Sequence, residues 1–262
     1  LPPESRISDE IVSCALPTDG NLFAELSGSA QLEDVGKGRR GAVLTKVDEA
    51  GGVPLVRTTT QYSGPAQRFR PVHAWLARQV QEQAGISADF NNALIESYTN
   101  AYTTMGGHSD QALDLADESF IAVFSCYRYP EAGPLRKLIF ESKGPDGERL
   151  EIPLAHHSVV AFSVASNRRL RHRIVAEKPG RATGNHRPTD NQWLGVTFRK
   201  SKTFVRYRDE TAYLSPGTRL TPADDEQRRE FYRLRRRENQ ETDFGYPALT
   251  YTVSESDLIQ PC

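Results

Sequence analysis

The sequence predicts a mainly β protein, with short strands forming a sandwich or barrel and a few helices around them. Seven brief β-like runs follow Phe90: ALIESY, FIAVFSCY, RKLIFES, SVVAFSV, RHRIVAE, QWLGVTFRK and TFVRY. Turn-forming residues separate them, and no helix-length pattern alternates with them as a parallel sheet with crossover helices requires. No repeat period is present. At 262 residues the chain is long enough for one substantial core with elaborated ends.

The elements follow in order from the punctuation. GNLFAELSG predicts a short helix, and GKGRRGA a turn leading into the strand-like AVLTKVD. VPLVRTTTQY has strand character and breaks at Ser63, Gly64 and Pro65. PVHAWLARQVQEQAG reads as a helix: Pro71 suits the first turn, Val72, Trp75, Leu76, Gln79 and Val80 recur at helical spacing, and Gly85 can close it. His73 is expected at its surface or in its cap. Near the C-terminus, TPADDEQRREFYRLRRREN predicts a helix with Thr221 as N-cap and Pro222 at its first position. Acids at its start and arginines at its end complement the helix dipole, so the arginine run is read as a solvated face rather than a nucleic-acid contact.

Charge and composition narrow the class. The formal net charge of -1 gives no global attraction to nucleic acid, though it leaves room for a local basic groove. No stretch approaches the roughly 20 continuous apolar residues of a membrane span. Cys14, Cys126 and Cys262 are too few and too scattered for a disulfide scaffold. The leading LPPESRISDE is polar and carries no secretory signal, so an intracellular, cytoplasmic protein is expected.

The stretch TTMGGHSDQ holds the chemistry. In an extended His-x-Asp segment both side chains project to one side, so His108 and Asp110 can enter one pocket. Imidazole and carboxylate together suit Fe(II), and a triad of two histidines and one carboxylate leaves coordination positions open. Alone, the pair is as readily a polar loop. A third ligand has to come from His73, His156, His157, His172 or His186. His73 belongs to a helix, His156 and His157 to a turn, and His186 to the turn-rich GRATGNHRPTDN. His172 opens RHRIVAE directly after the polar turn ASNRR, which makes it the favoured ligand with His186 as the rival.

FNNALIESYTNAYTTMGGHSD, Phe90 to Asp110, resembles the first iron-binding segment of the AlkB family of Fe(II)- and 2-oxoglutarate-dependent dioxygenases. SVVAFSVASNRRLRHRIV resembles the segment that delivers that family's second histidine, here His172, and WLGVTFRK its closing strand, ending at Arg199. VRTTTQYSG is similar to its substrate-side loop. The three core segments match in order and spacing over roughly the middle half of the chain.

The resemblance implies a double-stranded β-helix (a jelly roll, cupin-like) with flanking helices, and iron held by His108, Asp110 and His172. It implies that 2-oxoglutarate chelates the iron, that O2 is consumed, and that succinate and CO2 are released as a substrate C–H bond is oxidised. It divides the chain into an N-terminal extension (1–89), a catalytic core (90–208) and a C-terminal extension (209–262). Arg199, Thr197 and Tyr98 fall on the cosubstrate side, and Tyr62, Tyr102, Glu96 and Trp193 around the substrate.

Two positions depart from the family. Glu96 stands where an asparagine usually binds the cosubstrate, and a carboxylate cannot donate that hydrogen bond. Trp193 stands where an arginine usually pairs with the distal carboxylate of 2-oxoglutarate. Arg199 is the expected main replacement, with Arg171, Arg173 or Lys137 as the alternatives and the Tyr98 hydroxyl as a further donor. The near-neutral charge and this altered site point to hydroxylation or a related oxidation of a small molecule, in specialised metabolism. Oxidative dealkylation of methylated nucleic-acid bases is the second reading and an inert binding module the third, which the complete triad argues against.

Overall fold

The structure, a computed structural model, describes residues 7–145, 147–177 and 190–262. The first third contains β1 (Ile11–Ala15), α1 (Phe23–Ser27), β2 (Glu33–Gly36), β3 (Arg39–Thr45), β4 (Val53–Leu55), β5 (Gln67–Arg68) and α2 (Pro71–Ala84). The middle contains β6 (Asn92–Thr99), β7 (Phe120–Tyr127), β8 (Arg136–Ser142), β9 (Arg149–Leu154), β10 (Ser158–Ser163), α3 (Val164–Arg169), β11 (Leu170–Ala176) and β12 (Gln192–Arg199). β13 (Thr203–Arg208), β14 (Thr211–Leu214) and α4 (Asp225–Glu238) follow. All seven strand-like runs after Phe90 form strands, because each alternates or sustains apolar residues over the length of a strand.

An eight-stranded sheet runs β1-β10-β7-β12-β6-β3-β2, with β5 also paired to β3. Alternation sorts its residues onto two faces. On β12, Leu194, Val196 and Phe198 join Leu76, Ala77 and Val80 of α2 in one core. Trp193 faces the other way, into a second core against Leu138, Phe140, Leu170 and Ile174 of a three-stranded sheet, β11-β8-β9. The metal-ligand residues lie at the open end of this second layer.

The double-stranded β-helix expected above is not what these strands make. Among the described residues no sheet closes into a barrel; the strands form separate open sheets of eight, three, four and two strands, with helices alongside. The reason lies in the edges. β1 pairs along the whole of its length with β10, and β2 folds back on β3, so N-terminal strands finish both sides of the main sheet. β8 and β11 pair with each other instead, and their sheet stacks across the core.

Other local readings sharpen. α2 begins at Pro71 and ends at Gly85, whose φ of 63° is the left-handed conformation that glycine adopts without strain. His73 is a cap residue but a buried one: its Nδ1 accepts from the Arg70 N–H and its Nε2 lies 2.7 Å from Ser29 Oγ. Only Val53–Leu55 of VPLVRTTTQY is strand. α4 starts later than expected, capped by Asp224, whose carboxylate accepts from the Gln227 N–H at 2.8 Å. Thr221 and Pro222 instead pair in parallel with Tyr251 and Thr252. No helix among the described residues is long and apolar enough to cross a membrane.

Buried charge ties the C-terminal segment down. The Arg57 guanidinium grips Asp114 with Nε and Nη2 at 3.1 and 2.8 Å, and Nη1 donates to the carbonyls of Leu249 and Tyr251. This fork satisfies both charges where an unpaired one is strongly destabilising.

Nearby, burial pushes the Asp257 carboxyl up to about 7, against a hydrogen bond from Thr252 and with the Asp114 charge adding to the rise. Between the ordinary carboxylate range and pH 7 the folded chain therefore holds a proton that the unfolded chain has released, so this group's contribution to stability falls as pH rises through that window. Urea unfolding at pH 5, 6.5 and 8 is expected to show Asp257→Asn gaining on the parent protein by on the order of 1 kcal/mol by pH 8. Parallel pH profiles for the two proteins contradict the assignment.

Candidate metal centre

The two histidines are joined through their backbones. His108 N donates to the His172 carbonyl at 3.0 Å, and His172 N donates to the His108 carbonyl at 2.7 Å. Further up, Met105 N donates to Ile174 O and Ala176 N to Thr103 O, so residues 103–108 lie along β11 like an extra strand. The reciprocal pairing brings the imidazole rings to a centroid distance of 4.7 Å.

Asp110 completes the group. Its Oδ1 lies 3.4 Å from His172 Nε2 and 3.8 Å from His108 Nε2, and one ligand atom from each residue falls within 4.8 Å of the others. Asn167 holds the Asp110 backbone at two points: its Oδ1 accepts from the Asp110 N–H at 2.8 Å and its Nδ2 donates to the Asp110 carbonyl at 2.7 Å. Arg199 Nε donates to Asp110 Oδ2 at 2.6 Å, which leaves Oδ1 turned toward the imidazoles.

Protonation favours a cation here. His108 Nδ1 lies 2.8 Å from the Gly106 carbonyl, which can only accept, so Nδ1 carries the proton and Nε2 presents a lone pair. Burial and the neighbouring His172 push the His108 imidazole down to about 3. Burial alone would raise the Asp110 carboxyl, but Arg199 and His172 outweigh it and hold the group well below the ordinary carboxylate range. The buried His172 Nδ1 has no hydrogen-bond partner. Two imidazoles and one carboxylate, converging from a loop and a strand, form a 2-His-1-carboxylate cluster able to hold a metal ion, a donor set that suits non-haem Fe(II).

The cluster opens on a cavity of about 550 Å³, within the range of ligand sites. Glu96, Tyr102, Thr197 and Arg199 line it with the three ligands, as do Arg39, Gln111 and, from α4 and its C-cap, Tyr232, Arg235, Arg236 and Asn239. Tyr98 and Trp193 are brought close but lie behind the wall, their rings tilted against each other with centroids 4.7 Å apart and the Tyr98 hydroxyl donating to Glu96 Oε2 at 2.8 Å. Tyr62 is buried and lines an adjacent cavity of about 270 Å³. Of the cations considered as replacement anchors, Arg173 pairs with Glu141 and Lys137 with Glu151, and neither they nor Arg171 line the metal pocket. His156 and His157 stack on each other and accept from the N–H groups of Tyr127 and Leu22. His186 lies outside the described residues.

Several residues shape the site without a sequence signal. Asn167 sits in ASNRR, which reads as a turn and is instead α3, with Ser163 as its N-cap. α4 clamps the ligand loop from its far end: Asn239 Oδ1 accepts from the Ser109 N–H at 2.9 Å, and Glu238 Oε1 from the Ala112 N–H at 2.8 Å. Arg39 comes from the stretch read as a turn before AVLTKVD. Only the tertiary fold brings these residues to the pocket.

No family model matches the chain, and no curated protein does. Among solved structures the chain is similar to OsALKBH1, with 14% identity and a TM-score of 0.48 over 73% of this chain and 98% of that one. At that level the likeness carries no argument about function.

Arg199 acts here on a ligand carboxylate, and removing such a partner typically costs 10–100-fold in metal affinity. Titration of Arg199→Leu with Mn(II) or Co(II) is expected to show a loss of about tenfold or more. Unchanged affinity contradicts the positioning role.

Proposed function

We propose that the protein is an Fe(II)- and 2-oxoglutarate-dependent oxygenase. The observation that carries this is the cluster of His108, Asp110 and His172 with the spare carboxylate oxygen held by Arg199 and the open side facing a cavity. Bound there, Fe(II) with 2-oxoglutarate supplies O2-dependent oxidation of a C–H bond, with succinate and CO2 as co-products.

The chain's own residues have separate tasks. His108 and His172 each present a ring nitrogen, Asp110 one oxygen, and Arg199 keeps that carboxylate ionised and oriented. Thr197 and Arg199 stand on the same face of β12 beside the ligands, the proposed cosubstrate side. Tyr102 in the wall is a proposed substrate contact. Leu94, Val123, Leu138 and Ile174 form an apolar part of the wall and limit water near the reacting bond.

For the substrate, the position of α4 favours oxidative dealkylation of methylated nucleic-acid bases over small-molecule oxidation. The sequence reads the arginine run as a solvated face, yet Tyr232, Arg235 and Arg236 stand in the cavity wall. Arg229, Arg233 and Arg236 are exposed at i, i+4 and i+7, so they share one face of the helix leading away from the cavity. A row of guanidinium groups beside a pocket suits a phosphate backbone, and Tyr232 offers a ring on which a base can stack.

Two measurements test this reading. Iron-dependent conversion of 2-oxoglutarate to succinate is expected in the parent protein and in His156→Ala, and to fall at least about a hundredfold in His172→Ala, in line with loss of a catalytic metal ligand. Full activity in His172→Ala overturns the metal assignment. A methylated single-stranded oligonucleotide is expected to stimulate turnover with formaldehyde release, and replacing Arg229, Arg233 and Arg236 together by glutamine to reduce the salt slope of its binding by about 2. Turnover stimulated by small molecules alone, with no oligonucleotide binding, returns the substrate to the small-molecule class.

A further inference from the structure

One charged pair in the cavity wall has no part in holding the metal ligands. Arg39, from β3, meets Glu96, from β6, with Nε and Nη2 at 2.6 and 2.5 Å from Oε1. The other oxygen, Oε2, accepts from the Tyr98 hydroxyl at 2.8 Å. Glu96 is buried and the Arg39 side chain is 21% exposed. The guanidinium is held in its charged form, since the attraction of Glu96 outweighs the effect of burial.

The other cations in the wall are engaged elsewhere or placed at the mouth. Arg199 directs Nε to Asp110, Arg235 bonds Glu238 and the Ser109 carbonyl, and Arg236 belongs to the exposed face of α4. Arg39 is the cation on the main-sheet side, away from the ligand carboxylate. Strand register sets its distance from the metal end. Glu96 lies opposite Gly195, and Arg199 is four residues further along β12, a separation of about 13 Å at roughly 3.3 Å per residue. A chelated dicarboxylate and the reach of an arginine side chain together can span that gap.

The wall between is closed to a cation from β12 itself. The Trp193 indole covers Gly195, where an added methyl would come within 2.1 Å of Cη2. Only glycine permits that approach. Trp193 and Arg39 are both opposite Tyr98, on either side of β6, so they occupy one row across the sheet.

We propose that Arg39 anchors the distal carboxylate of the cosubstrate and that Glu96 is a built-in competing anion that limits its affinity. This rests on the oxygenase reading above and adds what selects a dicarboxylate over a monocarboxylate 2-oxo acid. A guanidinium has five N–H donors, so Arg39 can donate to a ligand carboxylate while keeping one bond to Glu96. The Glu96 charge then opposes the incoming anion, and the balance between the pair sets the affinity.

The test is anaerobic equilibrium binding of 2-oxoglutarate and of pyruvate, which lacks the second carboxylate, to the Mn(II)-loaded protein. The parent protein is expected to bind 2-oxoglutarate more tightly than pyruvate. Arg39→Gln is expected to lose about tenfold or more in 2-oxoglutarate affinity, as loss of a charge-assisted pair would give, with pyruvate binding unchanged. Glu96→Gln, close to isosteric, is expected to bind 2-oxoglutarate several-fold more tightly, again with no change for pyruvate. This second variant moves affinity in the opposite direction, so misfolding cannot imitate it. A full preference for 2-oxoglutarate in folded Arg39→Gln, or no gain in Glu96→Gln, overturns the anchor alone. Failure of both acids to bind the Mn(II)-loaded parent overturns the oxygenase reading and the anchor with it.

Discussion

The pair of backbone hydrogen bonds between His108 and His172 is the constraint on which the site depends. A loop after β6 and a strand 64 positions later become neighbours at one residue each, and because both residues are histidines the pairing is also the frame of a metal site. Backbone pairing gives the two imidazoles a fixed separation without relying on long side chains. Asp110 needs more help, since it lies beyond the paired segment. Asn167 supplies it by matching both backbone polar groups of Asp110 with one amide. The ligand loop is thus held from β11, from α3 and, through Ser109 and Ala112, from α4.

Electrostatics then divides the pocket into two parts. At one end a carboxylate is kept ionised by Arg199 beside two imidazoles, an arrangement that attracts a divalent cation. At the other end Glu96 and Arg39 neutralise each other. An unpaired Glu96 would repel an anionic ligand, whereas the paired one leaves a guanidinium within reach. The two layers of the fold make this division possible. Arg199, Glu96 and Arg39 project from the inner face of the main sheet toward the metal ligands carried by the loop and by β11, while the opposite face of the same strands is filled by Leu194, Val196, Phe198 and α2.

Much of this was legible in the sequence wherever the signal is local. Each β run after Phe90 carries its own apolar pattern, and α2 carries both its stop and its start, so these elements could be read one at a time. His-x-Asp is legible because two residues of an extended segment share a side. Pairing is not local, and so the closed β-helix was wrong: nothing in IVSCA states that it will cover the edge of β10. Arg39 was hidden by its setting among glycines, which read as a turn although Arg39 opens a seven-residue strand. The arginines of α4 were explained by the helix dipole, a correct local account that says nothing about where the helix docks. Asn167 carries no motif at all, because its importance lies in facing Asp110.

The function of the site turns on one metal ion binding at His108, Asp110 and His172. Anaerobic calorimetric titration with Fe(II) tests it most directly, applied to the parent protein, to His108→Ala, Asp110→Ala and His172→Ala, and to His156→Ala as a control outside the cluster. One equivalent is expected to bind to the parent and to His156→Ala, with binding lost in each of the three cluster variants. Undiminished binding in folded His172→Ala, or loss of binding in His156→Ala, contradicts it.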